Sequence, residues 1–571
     1  MKRVFPIIPI AFLILYLNAC NSRTGSDNTA IAADSASIAM GQNTFTQNCS
    51  ACHNFGKDGI GPLLGGITTQ VSAEWIKDFI KNPQAIIESG DERAQELHAR
   101  YKSVMPSFAY FSDQELNGLL AFLNTQKAPS KKERVDPNAL KNPIPDSIAM
   151  SDLAVEMEQV TQIPASSDKG QLTRICKLDF RPDTKAVFVV DLRGKLYQLQ
   201  NNQPKLYLDM AAERPKFIHE PGLATGFGSF AFHPEFAKNG LLYTTHTEGP
   251  GSAQADFAYN DSIKVMLQWV LTEWKTDQPN AFPFTGKGRE LFRVNMVHSY
   301  HGVQEITFNP LAKSGDEDYG LLYIGIGDGS SVEFDFPFLA HSLEKIWGTI
   351  IRIDPAGRNS KNGQYGIPQN NPFVKNENPN TVREIFAYGF RNPHRISWTK
   401  SGQILASNIG HHNIESLNMI LPGHDYGWPL REGTFLMDLT KGMRNIYPLP
   451  SDDAKYNITY PVAEYDHDEG NAISGGFEYW GSSIPELKGK YVFGDIVKGR
   501  LFYVEMKDLK LGSQATIKEW QVSINGEKKK LADLCGAKKV DVRFGRDSKG
   551  EIYVMTKPDG RVYKLVRGRG V

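Results

Sequence analysis

Two stretches of this chain carry side chains whose types and spacing can do chemistry. The first is Cys49-Ser50-Ala51-Cys52-His53. Two thiols at C-x-x-C spacing can form thioethers to both vinyl groups of a haem, and the adjacent imidazole then faces the iron. The same spacing also serves redox dithiols and half of a zinc site. Zinc would need a second cysteine pair nearby, and only Cys20, Cys176 and Cys535 remain. A thioredoxin-like dithiol would need a βαβ setting, whereas residues 39–48 read as a helix leading into the motif. A haem is therefore the expectation. The second stretch is 388–428. It opens with Arg391-Asn392-Pro393 and runs through two strand-like segments, 395–398 and 403–406. It continues to Asn408, Gly410, His411, His412 and Glu415, and closes on Tyr426-Gly427-Trp428-Pro429. Short strands around glycine-bearing turns indicate antiparallel β-structure. Polar groups bunched past a strand end suggest a site at the mouth of a β-fold, because loops on a rigid scaffold carry function. From spacing alone, ordinary polar loops are an equal reading.

The chain that must position these groups has 571 residues, more than one ordinary domain. Lys plus Arg and Asp plus Glu balance at 64 each, so there is no basic excess of the kind nucleic-acid binding requires. Fifty-one glycines and 11% aromatic residues fit a turn-rich β-protein.

Lys2 and Arg3 precede a short apolar run over 4–17, too short and too proline-interrupted for a stable membrane span. Leu17-Asn18-Ala19-Cys20 resembles the lipobox of bacterial lipoproteins. That resemblance implies a signal peptide over 1–19, lipidation at Cys20 and stable anchoring through several acyl chains. Asn21 and Ser22 lack an acidic retention signal. The expectation is an exported lipoprotein on the periplasmic side, anchored in the outer membrane, with 20–37 as a polar flexible tether.

Residues 38–127 resemble a small class I cytochrome c. Gly61-Pro62-Leu63-Leu64-Gly65-Gly66 resembles the loop beside the haem, 73–81 reads as a helix, and Val104-Met105-Pro106 stands where such cytochromes place the axial methionine. Ser112 caps a last amphipathic helix carrying Leu116, Leu119, Leu120 and Phe122. The resemblance implies haem c bound through Cys49 and Cys52, with His53 and Met105 on the iron. His/Met ligation raises the haem potential and suits an electron acceptor. Residues 128–152, with Pro129, Pro137, Pro143, Pro145 and a charge run, read as a solvated linker.

From 153 to 571, strands of four to eight residues recur between Gly, Asp, Asn and Pro turns, as in 186–190, 241–245, 321–325 and 551–555. A repeated turn-then-strand unit is a propeller signal. Within it, Arg391-Asn392-Pro393-His394-Arg395, the Asn408–Gly410 loop and Asp425-Tyr426-Gly427-Trp428-Pro429 resemble the central signature of the glucose/sorbosone dehydrogenase family. Ser229-Phe230-Ala231-Phe232-His233-Pro234 resembles an earlier family segment, in which His233 is read as a structural turn residue. The resemblance implies an all-β six-bladed propeller that binds pyrroloquinoline quinone (PQQ) and Ca²⁺ and oxidises aldose sugars or related carbohydrates. Residue by residue, His301 corresponds to the catalytic base and Asp328 to the carboxylate that orients it. His298 is a competitor excluded by register to Phe308. Arg391, Asn392 and Lys498 correspond to quinone contacts. Gly410 and His411 correspond to positions giving backbone carbonyls to calcium. Tyr426 and Trp428 are expected to line the substrate cleft, where a sugar's apolar face could stack. A propeller must be closed between its first and last blades, and a Cys176–Cys535 disulfide is the expected seal.

The sequence also departs from the family. Ala224-Thr225-Gly226-Phe227 stands where the family has a quinone-contacting glutamine. Its paired arginines have no clean match among Lys538, Lys539, Arg543 and Arg546. The expected function is a membrane-anchored quinohaemoprotein that passes electrons from a carbohydrate through PQQ and haem to a cytochrome or other respiratory acceptor. A cofactor-free carbohydrate- or protein-binding propeller is the alternative, since propellers host many functions.

Overall fold

The computed structural model describes residues 31–50, 52–59, 61–129, 136–222, 224–537 and 539–570. The expected signal peptide, Cys20 and most of the expected tether lie outside these residues, as does Lys538.

A small helical domain comes first. Its helices are Ser35–Asn48, Ala73–Lys81, Pro83–Glu88, Glu92–Tyr101 and Asp113–Asn124. The first begins inside the segment expected to be tether, because Asp34 caps it by accepting the Ser37 amide. Ser72 and Asp91 cap their helices in the same way. Ser112 and Glu115 form a full capping box. The first and last helices cross at two glycines. A Cβ on Gly41 would lie 1.8 Å from the Gly118 carbonyl oxygen, so only glycine allows the crossing. Phe45, Leu116, Leu119 and Leu123 fill the seam. Burying each such side chain stabilises the fold by about 1.5–3 kcal/mol.

The remainder is β-structure in four-stranded antiparallel meanders. Ile175–Phe180, Val187–Asp191, Lys195–Gln200 and Gln203–Asp209 pair in order. So do Ser229–Phe232, Leu241–Glu248, Leu267–Lys275 and Lys287–Met296. Glu305–Phe308 leads Leu322–Ile326, Thr349–Ile353 and Ile385–Tyr388. Pro393–Trp398 leads Ile404–Asn408, Ile414–Ile420 and Ala463–Asp466. Ile473–Glu478 leads Lys490–Asp495, Leu501–Glu505 and Lys518–Ile524. The first strand of each meander touches the first strand of the next, and Ile175–Phe180 meets Val542–Arg546, so the inner strands close a ring. Buried ion pairs stitch that ring. Glu305 takes Lys177 Nζ at 2.6 Å and Arg395 Nη1 at 3.1 Å.

Two expectations are corrected at the closure. The last meander, Val542–Arg546, Ile552–Thr556 and Arg561–Gly570, is completed by Ala149–Gln162 from the start of the domain. That strand takes in the last four residues of the expected linker. It also pairs with Lys518–Ile524 on its other side. Cys176 and Cys535 are free thiols. Cys176 packs among Phe188, Phe227 and Phe230, with Sγ 3.5 Å from the Gly228 carbonyl oxygen. Cys535 ends the short helix Leu531–Cys535 against a different apolar cluster. The backbone hydrogen bonds of the N-terminal strand close the ring, so no covalent seal is needed.

A small sheet, Arg431–Glu432, Phe435–Met437 and Ile446–Tyr447, is inserted before Ala463–Asp466. It reaches the helical domain. Arg444 on it donates to the Gly59 carbonyl at 3.1 Å and lies 4.2 Å over the Tyr101 ring.

Candidate active site and haem pocket

In the helical domain, one cavity brings together Cys49, Cys52, His53 and Met105 among apolar walls that include Phe45, Ile76, Ile80 and Leu97. His53 Nδ1 lies 2.7 Å from the Pro62 carbonyl oxygen. A carbonyl can only accept, so Nδ1 carries the proton and Nε2 is left as a metal-ligating lone pair. Gly61 presses on the imidazole, since a Cβ there would meet His53 Cε1 at 2.5 Å. The residues present fit a haem: two thiols for the vinyl groups, an oriented imidazole, a thioether sulfur and an apolar wall.

At the mouth of the β-ring lies a second cavity of about 410 Å³. His301 and Asp328 meet there as expected. His301 Nδ1 donates to Asp328 Oδ1 at 2.8 Å, which in the neutral imidazole puts the lone pair on Nε2. His301 sits in the left-handed region at φ +55°, a strained setting for a non-glycine residue. Two glycines hold it there. A Cβ on Gly302 would lie 1.9 Å from Trp269 Nε1, and one on Gly327 would lie 2.3 Å from the His301 carbonyl oxygen. Asp328 is fully buried. It also accepts the Ser330 amide at 2.8 Å, and its Oδ2 accepts Trp428 Nε1 at 2.9 Å.

Trp428 therefore does not line a substrate cleft. It is 2% exposed and holds the carboxylate behind the histidine. Tyr426 is also turned inward. Its hydroxyl donates to the Met419 carbonyl at 2.7 Å and its ring stacks on Phe390 at 4.4 Å. Both were expected in the cleft because aromatic residues in a loop suit a sugar face. The tertiary packing uses them as core.

Arg391 and Asn392 line the cavity, but Lys498 does not. The Lys498 ammonium donates to the Asp468 carbonyl at 2.7 Å. Arg444, Lys539, Arg543 and Lys557 line the cavity instead. Arg546, a candidate by register, lies on a different cavity along the inner strands. Glu333, which the sequence reading missed, pairs with Arg391. Burial pushes its carboxyl upward, but Arg391, His411 and His301 together hold it at about 2. Asp541 is held well below the usual carboxylate range by Arg543 and Lys557 despite its burial.

The loop after Asn408 is held by Glu415, which stands among the candidate polar groups of the sequence, and by Glu432, which no local signal marks. Glu432 Oε1 accepts four successive amides, those of His411, His412, Asn413 and Ile414, at 2.7–3.1 Å. Glu415 Oε2 accepts the Gly410 amide at 3.2 Å. Burial pushes the His411 imidazole down to about 3, so it is neutral. The Gly410 carbonyl, expected to face calcium, accepts Arg391 Nη1. A guanidinium against that oxygen disfavours a second cation beside it, so the Gly410 carbonyl does not fit calcium as expected. A polyanionic quinone fits better. The buried Nε atoms of Arg391 and Arg543 have no hydrogen-bond partner among the described residues, and buried donors of this kind call for an acceptor.

The two cavities share a wall. Cys52, Tyr101, Ser103, Val104 and Pro106 line both, and Tyr300 and His301 face them across the β-ring mouth. Lys57 pairs with Asp335 at 2.8 Å, and Lys102 pairs with Asp468, across the same junction.

A model of the Glucose / Sorbosone dehydrogenase family matches residues 172–564. A cytochrome c model matches residues 38–127. The HIPL2 protein of Arabidopsis thaliana is 26% identical over 388 residues, covering 60% of this chain and 53% of its own length. Quinoprotein glucose dehydrogenase B of Acinetobacter calcoaceticus is 22% identical over 263 residues, covering 43% of this chain and 48% of its own length. This chain thus spans about half the length of these curated relatives. Among solved structures, the apo form of the soluble aldose sugar dehydrogenase of Escherichia coli superposes with a TM-score of 0.50 at 18% identity. The match covers 73% of this chain and 100% of that one, so the two share a fold.

Proposed function

Because the chain belongs to the Glucose / Sorbosone dehydrogenase family and carries a cytochrome c domain, we propose that it is a PQQ-dependent quinohaemoprotein. It oxidises a hydroxyl of an aldose or related carbohydrate and hands the electrons to its own haem c. The observation that carries this reading is the shared wall: Cys52, one of the two haem-attaching thiols, also lines the cavity of His301. The closed ring of inner strands supports counting the meanders as the six blades of a propeller.

The quinone, when bound, supplies the acceptor for the hydride from the sugar carbon. The chain's own residues do the rest. His301 Nε2 takes the hydroxyl proton as general base. Asp328 fixes the Nδ1–H tautomer and stabilises the imidazolium that forms. Trp428 prevents Asp328 from turning away. Arg391 and Arg543, which line the cavity, would hold an anionic quinone by charge-assisted hydrogen bonds. The cytochrome's 101–106 segment covers one side of the mouth and restricts water there. Export and a lipid anchor at Cys20 fit this reading, with a cytochrome or other respiratory carrier as the final acceptor.

The test uses the haem-loaded protein, with PQQ and a panel of aldoses and oligosaccharides, followed through the haem spectrum. Reduction that requires both PQQ and a sugar supports the reading. PQQ binding without reduction by any sugar removes the substrate assignment, and no PQQ binding removes the enzyme. A second reading, a cofactor-free binding propeller, is favoured by one observation: Glu333 and the Gly410 carbonyl already engage Arg391.

A further inference from the structure

Tyr300 stands at the junction of the two cavities. It directly precedes His301 and lines the β-ring cavity together with Cys52 of the haem-attachment motif, with the Ser50 and Ser299 side chains close to its hydroxyl. Its ring is backed by His298, with centroids 4.7 Å apart, and His298 in turn stacks on Phe334 at 4.6 Å and 16°. Burial pushes the His298 imidazole down to about 4, so this backing ring is neutral and acts by packing. Arg444 reaches the helical domain through the Gly59 carbonyl and the Tyr101 ring, and the ion pairs across the junction, Lys57–Asp335 and Lys102–Asp468, involve partly exposed side chains. Exposed pairs of that kind contribute little and are screened by salt. Tyr300 differs from them. It is an aromatic side chain of the β-ring that lines the same cavity as Cys52, and it shares a backbone bond with the strained His301.

We propose that Tyr300 is the positioning residue that clamps the Cys49–His53 loop against the carbohydrate-oxidising cavity and so sets the hand-over of electrons between the two sites. This rests on the function proposed above. Oxidation of one hydroxyl to a carbonyl releases two protons and two electrons. The haem iron accepts one electron at a time, ferric to ferrous, so two hand-overs occur per turnover. A one-electron acceptor of the cytochrome class reoxidises the haem between them. Tyr300 itself is not oxidised. It keeps packed atoms, in place of a mobile gap, between the cavity and the Cys52 edge of the haem.

The experiment compares the full-length, haem-loaded wild type with Tyr300→Phe, Tyr300→Leu and Ser50→Ala. Two rates are measured with the best sugar of the panel: haem reduction, and turnover with a small dye that takes electrons directly from the β-ring site. The expected result is a fall of at least about tenfold, some 1.4 kcal/mol, in the ratio of haem reduction to dye turnover for Tyr300→Leu. Ser50→Ala and Tyr300→Phe should show a smaller fall of the same sign. A third readout needs no activity. In the quinone-free protein, Tyr300→Leu should raise amide hydrogen exchange across residues 49–53 while leaving the haem potential unchanged. An unchanged ratio, or equal loss of both rates, overturns the clamp, as does unchanged exchange. If the wild type oxidises no sugar even with the dye, the proposed function fails instead, and the exchange arm still decides whether Tyr300 holds the loop.

Discussion

In the helical domain, the two thiols, the imidazole and the glycine that presses on it all fall between residues 49 and 61. At the β-ring mouth, His301 depends on Asp328, Trp428 and Gly327, and the cavity around it takes Arg391 and Arg543 from other meanders. Both sites use the same device. An imidazole has one nitrogen tied to an oxygen, His53 to the Pro62 carbonyl and His301 to Asp328, so that the other nitrogen is free to act. Both pin the histidine with a glycine. They differ in how far apart in sequence the parts come from. A covalently attached haem can rely on a short motif, because the attachment supplies the geometry. A non-covalent acid–base site must be positioned by the whole ring.

The sharpest way to break this comparison is at the two histidines. His301→Ala should lower sugar-driven turnover by about 10²–10⁴-fold, the usual weight of a general base, and leave the haem spectrum intact. His53→Ala should remove the low-spin haem spectrum. A turnover indifferent to His301→Ala would remove the enzymatic half of the comparison.

The glycines come next. Gly61→Ala and Gly327→Ala should each destabilise by about 1–3 kcal/mol, as overpacking does. Thermal unfolding reads the loss. Gly61→Ala should perturb the haem spectrum only, and Gly327→Ala the sugar kinetics only. Crossed effects would mean the two sites are not built independently.

A pH effect separates them further. The folded Glu333 carboxyl is lowered from 4.5 to about 2 by Arg391, His411 and His301 against the effect of burial. Its stabilisation is therefore present above pH 4.5 and is lost as pH falls towards 2. The stability difference between wild type and Glu333→Gln should shrink across that window. A constant difference would show that the Arg391 pair does not carry it.

The smallest effect is expected from Trp428→Phe. It removes one hydrogen bond to Asp328, worth about 0.5–1.5 kcal/mol, and should lower kcat up to about tenfold with little change in KM. A change confined to KM would return Trp428 to the substrate cleft.

The haem motif, the helix 73–81 and the capped last helix were legible in the sequence because each is specified within a few residues, by a motif or a cap. The pairing of His301 with Asp328 was legible only through family resemblance, since the two lie a strand apart. Lys498 was misplaced because register in a motif does not fix where a long, flexible side chain ends. Trp428 and Tyr426 were misplaced because burial is decided by what packs against a loop. Glu432 was invisible, because a glutamate that collects four amides looks like any surface glutamate until the loop at 411–414 is brought to it.

By itself the sequence determined the local chemistry: a C-x-x-C-H haem site, recurring strands and turns, and a neutral chain without a nucleic-acid signature. Tertiary structure alone decided the closure and the junction. Backbone hydrogen bonds from Ala149–Gln162 close the ring where a disulfide was expected. The shared wall at Cys52 and Tyr101, with Tyr300 facing it, exists only because the helical domain lies over the mouth of the ring. Local spacing cannot encode such contacts. They join residues hundreds of positions apart and arise only once burial has fixed which faces meet.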